Sequence, residues 1–510
     1  MNPKLDRRAV LKLLSLLSAA QLGQPFFSRA TGINSKDPKS PNILFIVFDT
    51  LSARHVSVYG YNRETTPNLL RFAEKATVYH SHHAGGNYTT PGTSSILTGT
   101  YPWSHRAFQL TANVIKGYED RNIFHEFDGR KYTRIAYTHN SYAHVLLHQF
   151  RKDLEGLLPP QALSRWNSQF LDQLPEKDRN AISWAEVALT GAIGEMPTSL
   201  FYRLILNSVV RYNWVKGSQE YKDIFPRGIP GLPHLNFFLE DAMDWTYQQV
   251  ETLPQPYFAY VHLLPPHAPY VTRKEFVDIF MDSWQPPKKP KHIFATDVSP
   301  TQLGNFRRLY DEYIAYTDAE FGRLYEKLHK SGKLDNTWIV FTSDHGEMFE
   351  RGISGHITPT LYESITHVPL IIAAPGQQVR QDIYSLTSCV DLLPTLLHIS
   401  GQAIPEWTEG IILPPFSQAS SDPDRSIFTV EAKENSKWKP LTKSTVAMIK
   451  GNYKLIQYKG YSKVPEHHEL YDLAIDPEEL NNLFKTKPNL AAELKNELTL
   501  KLQGINNRYQ

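Results

Sequence analysis

Two apolar runs far apart in the chain each end in side chains that bind metal ions. Asn42-Ile43-Leu44-Phe45-Ile46-Val47-Phe48 leads into Asp49-Thr50, and Trp338-Ile339-Val340-Phe341-Thr342-Ser343 leads into Asp344-His345. Two carboxylates and an imidazole suit one divalent metal ion, and such donors accept Ca²⁺, Mn²⁺, Mg²⁺ or Zn²⁺ without choosing among them. A lone strand-end aspartate could instead cap a helix or bind a loop amide; two of them beside a histidine point to metal. Between the runs lies a hydroxyl-rich stretch, Tyr88-Thr89-Thr90-Pro91-Gly92-Thr93-Ser94-Ser95. Pro91 suits a first helical turn, where its missing N–H costs nothing. Thr89 then stands at a helix N-terminus, where free N–H groups and the helix dipole favour an anion. A hydroxyl is a poor nucleophile until metal coordination lowers its pKa, so Thr89 is the candidate nucleophile and a candidate metal ligand. Threonine also serves as a helix N-cap, and Thr90 is the neighbouring alternative.

The elements that must position these groups can be read from pattern. Unbroken β-branched and aromatic runs suit strands buried on both faces, as in a parallel sheet under helices. In open α/β sheets, ligands bind beyond the carboxyl ends of such strands. Further strands are expected at Thr133–Thr138 and 258–262, with helices at 68–76 and 91–97. A long amphipathic helix is expected over 299–333, with Ser299 as cap and Pro300 as first residue. After Pro414-Pro415 the pattern changes to short strands at Ser426–Glu431, 445–450 and 453–458, a turn at Gly451-Asn452, and a closing helix over 489–503. Residues 145–255 hold helix-like, aromatic-rich stretches, including 184–192 and 198–215, and read as a helical insertion that shapes the site or simply elaborates the fold.

The stretch from Thr89 through Leu97-Thr98-Gly99 resembles the nucleophile segment of the sulfatase family of the alkaline-phosphatase superfamily: a nucleophile, any residue, Pro, then Leu-Thr-Gly. Thr65-Thr66-Pro67-Asn68-Leu69, Pro266-His267-Ala268-Pro269-Tyr270, His367-Val368-Pro369-Leu370 and Glu469-Leu470-Tyr471-Asp472 follow in the family's order. The resemblance implies an α/β, alkaline-phosphatase-like fold: a mixed, mostly parallel sheet sandwiched by helices, with a small antiparallel C-terminal subdomain. It also implies one divalent metal held by Asp49, Thr89, Asp344 and His345. His267 falls where the family binds substrate, and His356 falls where a Lys or His stands near the leaving group and could give it a proton. His139 lies near a family lysine, with Asn140 beside it, as substrate contacts. Arg54, in the loop after Asp49, could reach substrate or face solvent. His262, inside a strand, is as readily structural as functional, and His80, His82 and His83 read as surface or packing residues.

The chain departs from true sulfatases at the nucleophile. Those carry Cys or Ser, oxidised to formylglycine; Thr89 cannot follow, and Gly92 and Thr93 replace the usual Ser and Arg. This Thr-nucleophile, non-formylglycine type implies a hydrolase or transferase acting on phosphate esters, such as a phosphodiester or phosphoglycerol-type headgroup. A sulfuric ester hydrolase working without formylglycine is one alternative. An inactive relative binding an anionic glycan or lipid headgroup is another, though keeping Asp49, Thr89, Asp344, His345 and His356 together argues against it. The expected partner is a small-molecule, glycan or lipid-headgroup anionic ester.

Composition sets the outer bounds. The 510 residues, 41% hydrophobic and 12% aromatic, can bury a large core and exclude a disordered or fibrous chain. Arg7-Arg8, a short apolar stretch and small residues read as a twin-arginine export signal over 1–30. A linker at 31–41, a catalytic domain at 42–415 and a C-terminal α+β subdomain at 416–510 follow. The apolar stretch is shorter than the ~20 residues a membrane span needs, so no transmembrane anchor is expected after cleavage, and the location is periplasmic or extracellular. The whole chain carries a net charge of +2; without residues 1–30 it holds 49 basic and 51 acidic residues, a charge of −2. No Lys/Arg stripe suggests nucleic acid. The single Cys389 forbids an internal disulfide and sits in an apolar context that reads as core.

Overall fold

The computed structural model describes residues 40–127, 131–160, 162–164, 200–232, 235–417, 422, 424–462 and 464–509. The export-signal segment and the 184–192 stretch lie outside them. An eight-stranded sheet runs in the order Gln381–Ile383, Thr77–Tyr79, Leu370–Ala373, Thr337–Thr342, Asn42–Phe48, Tyr257–Leu263, Thr133–Thr138, Gly156–Leu157. Leu370–Ala373 is antiparallel to both its neighbours, and the other pairings are parallel.

Asn42–Phe48 is buried along its whole length, and its alternation explains why it lies in the middle. Ile43, Phe45 and Val47 face a core with Ile96, Leu97, Leu393 and Leu396. Leu44, Ile46 and Phe48 face the opposite core with Leu69, Phe72, Tyr313 and Phe321. Burying such side chains is worth roughly 1.5–3 kcal/mol each, so the strand holds helices on both faces.

The long helix is Pro300–Lys330, begun by a capping box in which the Ser299 side chain and Gln302 satisfy each other's backbone. The helix anticipated at 68–76 is Pro67–Ala73, and the one anticipated at 91–97 is Thr89–Thr98. In the latter the N-cap is Tyr88, so Thr89 is the first helical residue rather than the cap. Within 145–255 the structure has a Leu200–Glu220 helix and a Leu239–Thr252 helix. The second buries Leu239, Ala242, Met243 and Val250 in the core and is part of the scaffold.

A second sheet of four antiparallel strands, Ser426–Glu431, Ser444–Lys450, Tyr453–Lys459 and His467–Asp472, precedes a closing helix, Pro488–Asn506. Phe428, Val430 and Met448 share the first core with Tyr101 and Trp103. The first strand also grips the chain just before the Thr89–Thr98 helix: Val430 N–H donates to the Gly85 carbonyl at 2.9 Å and Thr429 Oγ1 to that of Ala84 at 2.5 Å.

Candidate active site

Four strands deliver their following residues to one end of the large sheet. Register pairs Val47 with both His262 and Thr342, and His262 with Thr138. Asp49, His262, Asp344 and His139 therefore emerge together at the carboxyl ends, all fully buried. Asp49, Asp344 and His345 have ligand atoms within 4.8 Å of one another. His345 Nε2 is 3.4 Å from Asp49 Oδ1 and 3.6 Å from Asp344 Oδ2. His345 Nδ1–H donates to the Gly346 carbonyl at 3.0 Å, which leaves Nε2 as the lone-pair nitrogen.

Asp49 Oδ1, His345 Nε2 and His262 Nε2 are buried without a hydrogen-bond partner. Such groups are costly unless satisfied, and an acid–imidazole set of this composition fits a divalent ion. Burial pushes the Asp344 carboxyl up, with the Asp49 charge adding to it. Burial acts on Asp49 in the same direction, but His262, His267 and His345 outweigh it and hold that carboxyl below the usual range. Burial disfavours a charged His262, yet Asp49 and Asp344 raise its pKa. Burial lowers that of His345 despite Asp344.

The Thr89–Thr98 helix is pressed against this group. A Cβ on Gly92 would lie 2.4 Å from the Asp344 carbonyl oxygen, so only glycine permits the approach. Thr93 Oγ1 donates to Asp344 Oδ2 at 3.2 Å. Thr89 Oγ1 donates to Asp49 Oδ2 at 3.5 Å and accepts from Asn140 Nδ2 at 3.1 Å. The Thr90 hydroxyl turns away, to the Leu110 carbonyl. Thr50 takes a left-handed backbone, φ 63°, uncommon for a β-branched residue, while its N–H is directed at Asp344 Oδ1 at 3.4 Å.

The other sequence-derived candidates divide. Asn140 is engaged within the protein: Nδ2 also donates to Asp49 Oδ2, and Oδ1 caps the following helix through Tyr142 and Ala143 N–H. His356 joins the group, its ring 4.4 Å from His345 and 5.1 Å from His267. His139 is buried, stacked on Phe237 at 4.0 Å, with neither ring nitrogen partnered; burial pushes its pKa down to about 3, with His262 adding to that. Arg54 pairs with Glu478 rather than with the Asp49 group. His80, His82 and His83 diverge to Asp382, Thr387 and Glu363.

From sequence alone His262 is undecided and Glu347 does not stand out, yet the Glu347 carboxylate meets His356 Nδ1 at 3.1 and 3.2 Å. The signal for His262 is its place at the end of a strand directly beside the Asp49 strand. Glu347 carried no sign beyond nearness to His345.

A mixed, mostly parallel sheet with a buried acid–imidazole group and a helix-borne hydroxyl at its carboxyl edge defines the molecule by class. The chain belongs to the sulfatase family, a family of ester hydrolases: residues 41–402 match "Sulfatase", and residues 358–508 match "N-sulphoglucosamine sulphohydrolase, C-terminal". It is 25% identical to choline-sulfatase from Rhizobium meliloti (strain 1021), over 87% of this chain and 82% of that protein. It is 27% identical to arylsulfatase K from Xenopus laevis over 51% of this chain, and the match spans about half, 54%, of that relative. The fold is shared with phosphonate monoester hydrolase of Agrobacterium radiobacter, with a TM-score of 0.62 and 19% identity over 92% of this chain and 96% of the other. Among the described residues no helix is long and apolar enough to cross a membrane.

Proposed function

We propose that this chain is an exported, metal-dependent hydrolase or transferase that cleaves phosphate esters, of phosphodiester or phosphoglycerol type, through Thr89. One observation carries the reading: a threonine, which cannot become formylglycine, occupies the first turn of the buried helix with Oγ1 between Asp49 Oδ2 and Asn140 Nδ2. Asp49, Thr89, Asp344 and His345 would hold one divalent ion, Ca²⁺, Mn²⁺, Mg²⁺ or Zn²⁺. When bound, such an ion lowers the pKa of a coordinated hydroxyl and neutralises charge on the ester. Asn140 holds the Thr89 oxygen in place, and the helix N-terminus offers its N–H groups to the anion. In this reading His267 and His356 bind the ester and return a proton to the departing oxygen. The resulting Thr89 ester is released to water or another acceptor.

A second reading, sulfate ester hydrolysis without formylglycine, draws on the likeness to a relative named choline-sulfatase. Hydrolysis of matched aryl phosphodiester, phosphomonoester, phosphonate and sulfate substrates with added Mn²⁺, Ca²⁺ or Zn²⁺, beside Thr89→Ala, separates the two. Phosphorus-ester turnover abolished by the substitution is the expected result. Preferred sulfate turnover favours the second reading, and activity that survives Thr89→Ala removes threonine as nucleophile.

A further inference from the structure

Glu347 touches neither the proposed nucleophile nor the acids around it, yet it is buried beside them and directs its carboxylate at His356. Both its oxygens meet His356 Nδ1, at 3.1 and 3.2 Å, and Tyr270 OH donates to Oε2 at 3.2 Å. The peptide carrying His356 is clamped separately. Asn87 Nδ2 donates to the carbonyls of His356 and Thr358 at 2.9 and 2.8 Å, and Gly355 N–H donates to the Met348 carbonyl at 2.9 Å. The ring therefore has a fixed backbone and a fixed Nδ1, and Nε2 is the nitrogen left for chemistry, beside His345 and His267. A carboxylate accepting from one imidazole nitrogen fixes the tautomer and the orientation of the ring.

We propose that Glu347 is a positioning residue that holds the His356 proton donor on Nε2, aimed at the leaving-group oxygen. The inference rests on the reading of the site as an esterase. Thr89 Oγ releases its proton to water as it bonds to the ester's central atom; the bond to the leaving oxygen breaks, and that oxygen keeps the electron pair and takes the Nε2 proton. His356 is left neutral with its Nδ1–H on Glu347. It regains its proton from the water that attacks the Thr89 ester, and the freed Thr89 oxygen takes one from solvent.

The test varies the leaving group. Glu347→Gln and His356→Gln are assayed on a phosphodiester series running from p-nitrophenol through phenol to a simple alcohol. Help from a proton donor matters most for poor leaving groups, and general acids contribute about 10²–10⁴-fold. Each variant is expected to lose about 100-fold on the alcohol ester and less than about 3-fold on the p-nitrophenyl ester, the double variant losing no more than either single one. An equal fall across the series would mean a merely structural role and overturn the proposal. ¹⁵N spectra of histidine-labelled protein with Ca²⁺ added give a readout free of turnover. Wild-type His356 should carry its neutral-ring proton on Nδ1 and lose that signature in Glu347→Ala; a proton found on Nε2 in the wild-type neutral ring overturns the contact itself. If wild type turns over none of the esters, the esterase reading fails while the spectra still decide whether Glu347 sets the ring.

Discussion

Among the described residues two groups bring metal-ligand side chains close together, and their imidazoles are set in opposite ways. Asp49, Asp344 and His345 form the first group; His292, His467 and Glu469 form the second, also with ligand atoms within 4.8 Å. In the first, a carbonyl accepts from His345 Nδ1–H and frees Nε2 toward the acids. In the second, Phe294 N–H donates to His292 Nδ1 at 3.1 Å, so the neutral ring carries its proton on Nε2, 3.6 Å from Glu469 Oε1. Glu469 Oε2 is already taken by Tyr362 OH at 2.9 Å and Tyr458 OH at 3.3 Å. His467 lies flat on Tyr458 at 4.4 Å. That second group ties an edge strand to a neighbouring loop. Composition nominates both groups; the backbone partner of each imidazole separates them.

Metal content is the sharpest way to break that contrast. Asp344→Asn should weaken the bound ion by at least about 100-fold, since even changes to partners outside the ligand set cost 10–100-fold. His467→Gln should leave metal per chain unchanged by elemental analysis. Loss of an ion from His467→Gln alone would make the second group a metal site and end the comparison. Gly92→Ala should lower stability by about 1–3 kcal/mol in a denaturant titration, because its methyl meets the Asp344 carbonyl oxygen. It should also weaken metal binding, whereas Gly504→Ala, with open space around it, should do neither.

A smaller effect concerns acid. Burial pushes His105 down to about 3, while its Nδ1 accepts from Ala107 N–H and its ring meets Ser95 on the Thr89–Thr98 helix. The folded form thus binds fewer protons than the unfolded chain between the ordinary histidine pKa of about 6.5 and about 3. Stability is present above that window and lost as pH falls through it, by up to about 1.4 kcal/mol per unit. His105→Gln should flatten the decline in melting temperature. The smallest effect is chemical silence: burial raises the Cys389 thiol to about 12, so iodoacetamide at pH 8 should label it only after unfolding.

How far the fold could be read ahead of the structure followed from which signals are local. The Asp49 and Asp344 strands announced themselves as unbroken apolar runs, and Ser299-Pro300 announced its helix. His262 was harder, because a histidine in a buried strand gains meaning only from the register that sets it against Val47. Arg54 was drawn to the site by nearness in sequence, whereas its partner Glu478 comes from the far end of the chain. Asn140, expected from the sequence to meet substrate, divides its carboxamide between a helix cap and the Asp49–Thr89 pair. Interactions fixed by folding leave little trace in residue order.

The grip of Thr429 and Val430 on Ala84 and Gly85 also sets a timetable for the growing chain. Thr89 emerges early from a ribosome, but the strand that steadies its helix is made some 340 residues later, roughly 20 to 70 s at about 5–20 residues per second. Until then the helix lacks its brace, and the Asp344 side of the site comes into being only after more than half of the chain. Assembly of the reactive centre is thus a late event in the life of each molecule, and a chain stopped before Ser426 should be made without becoming active.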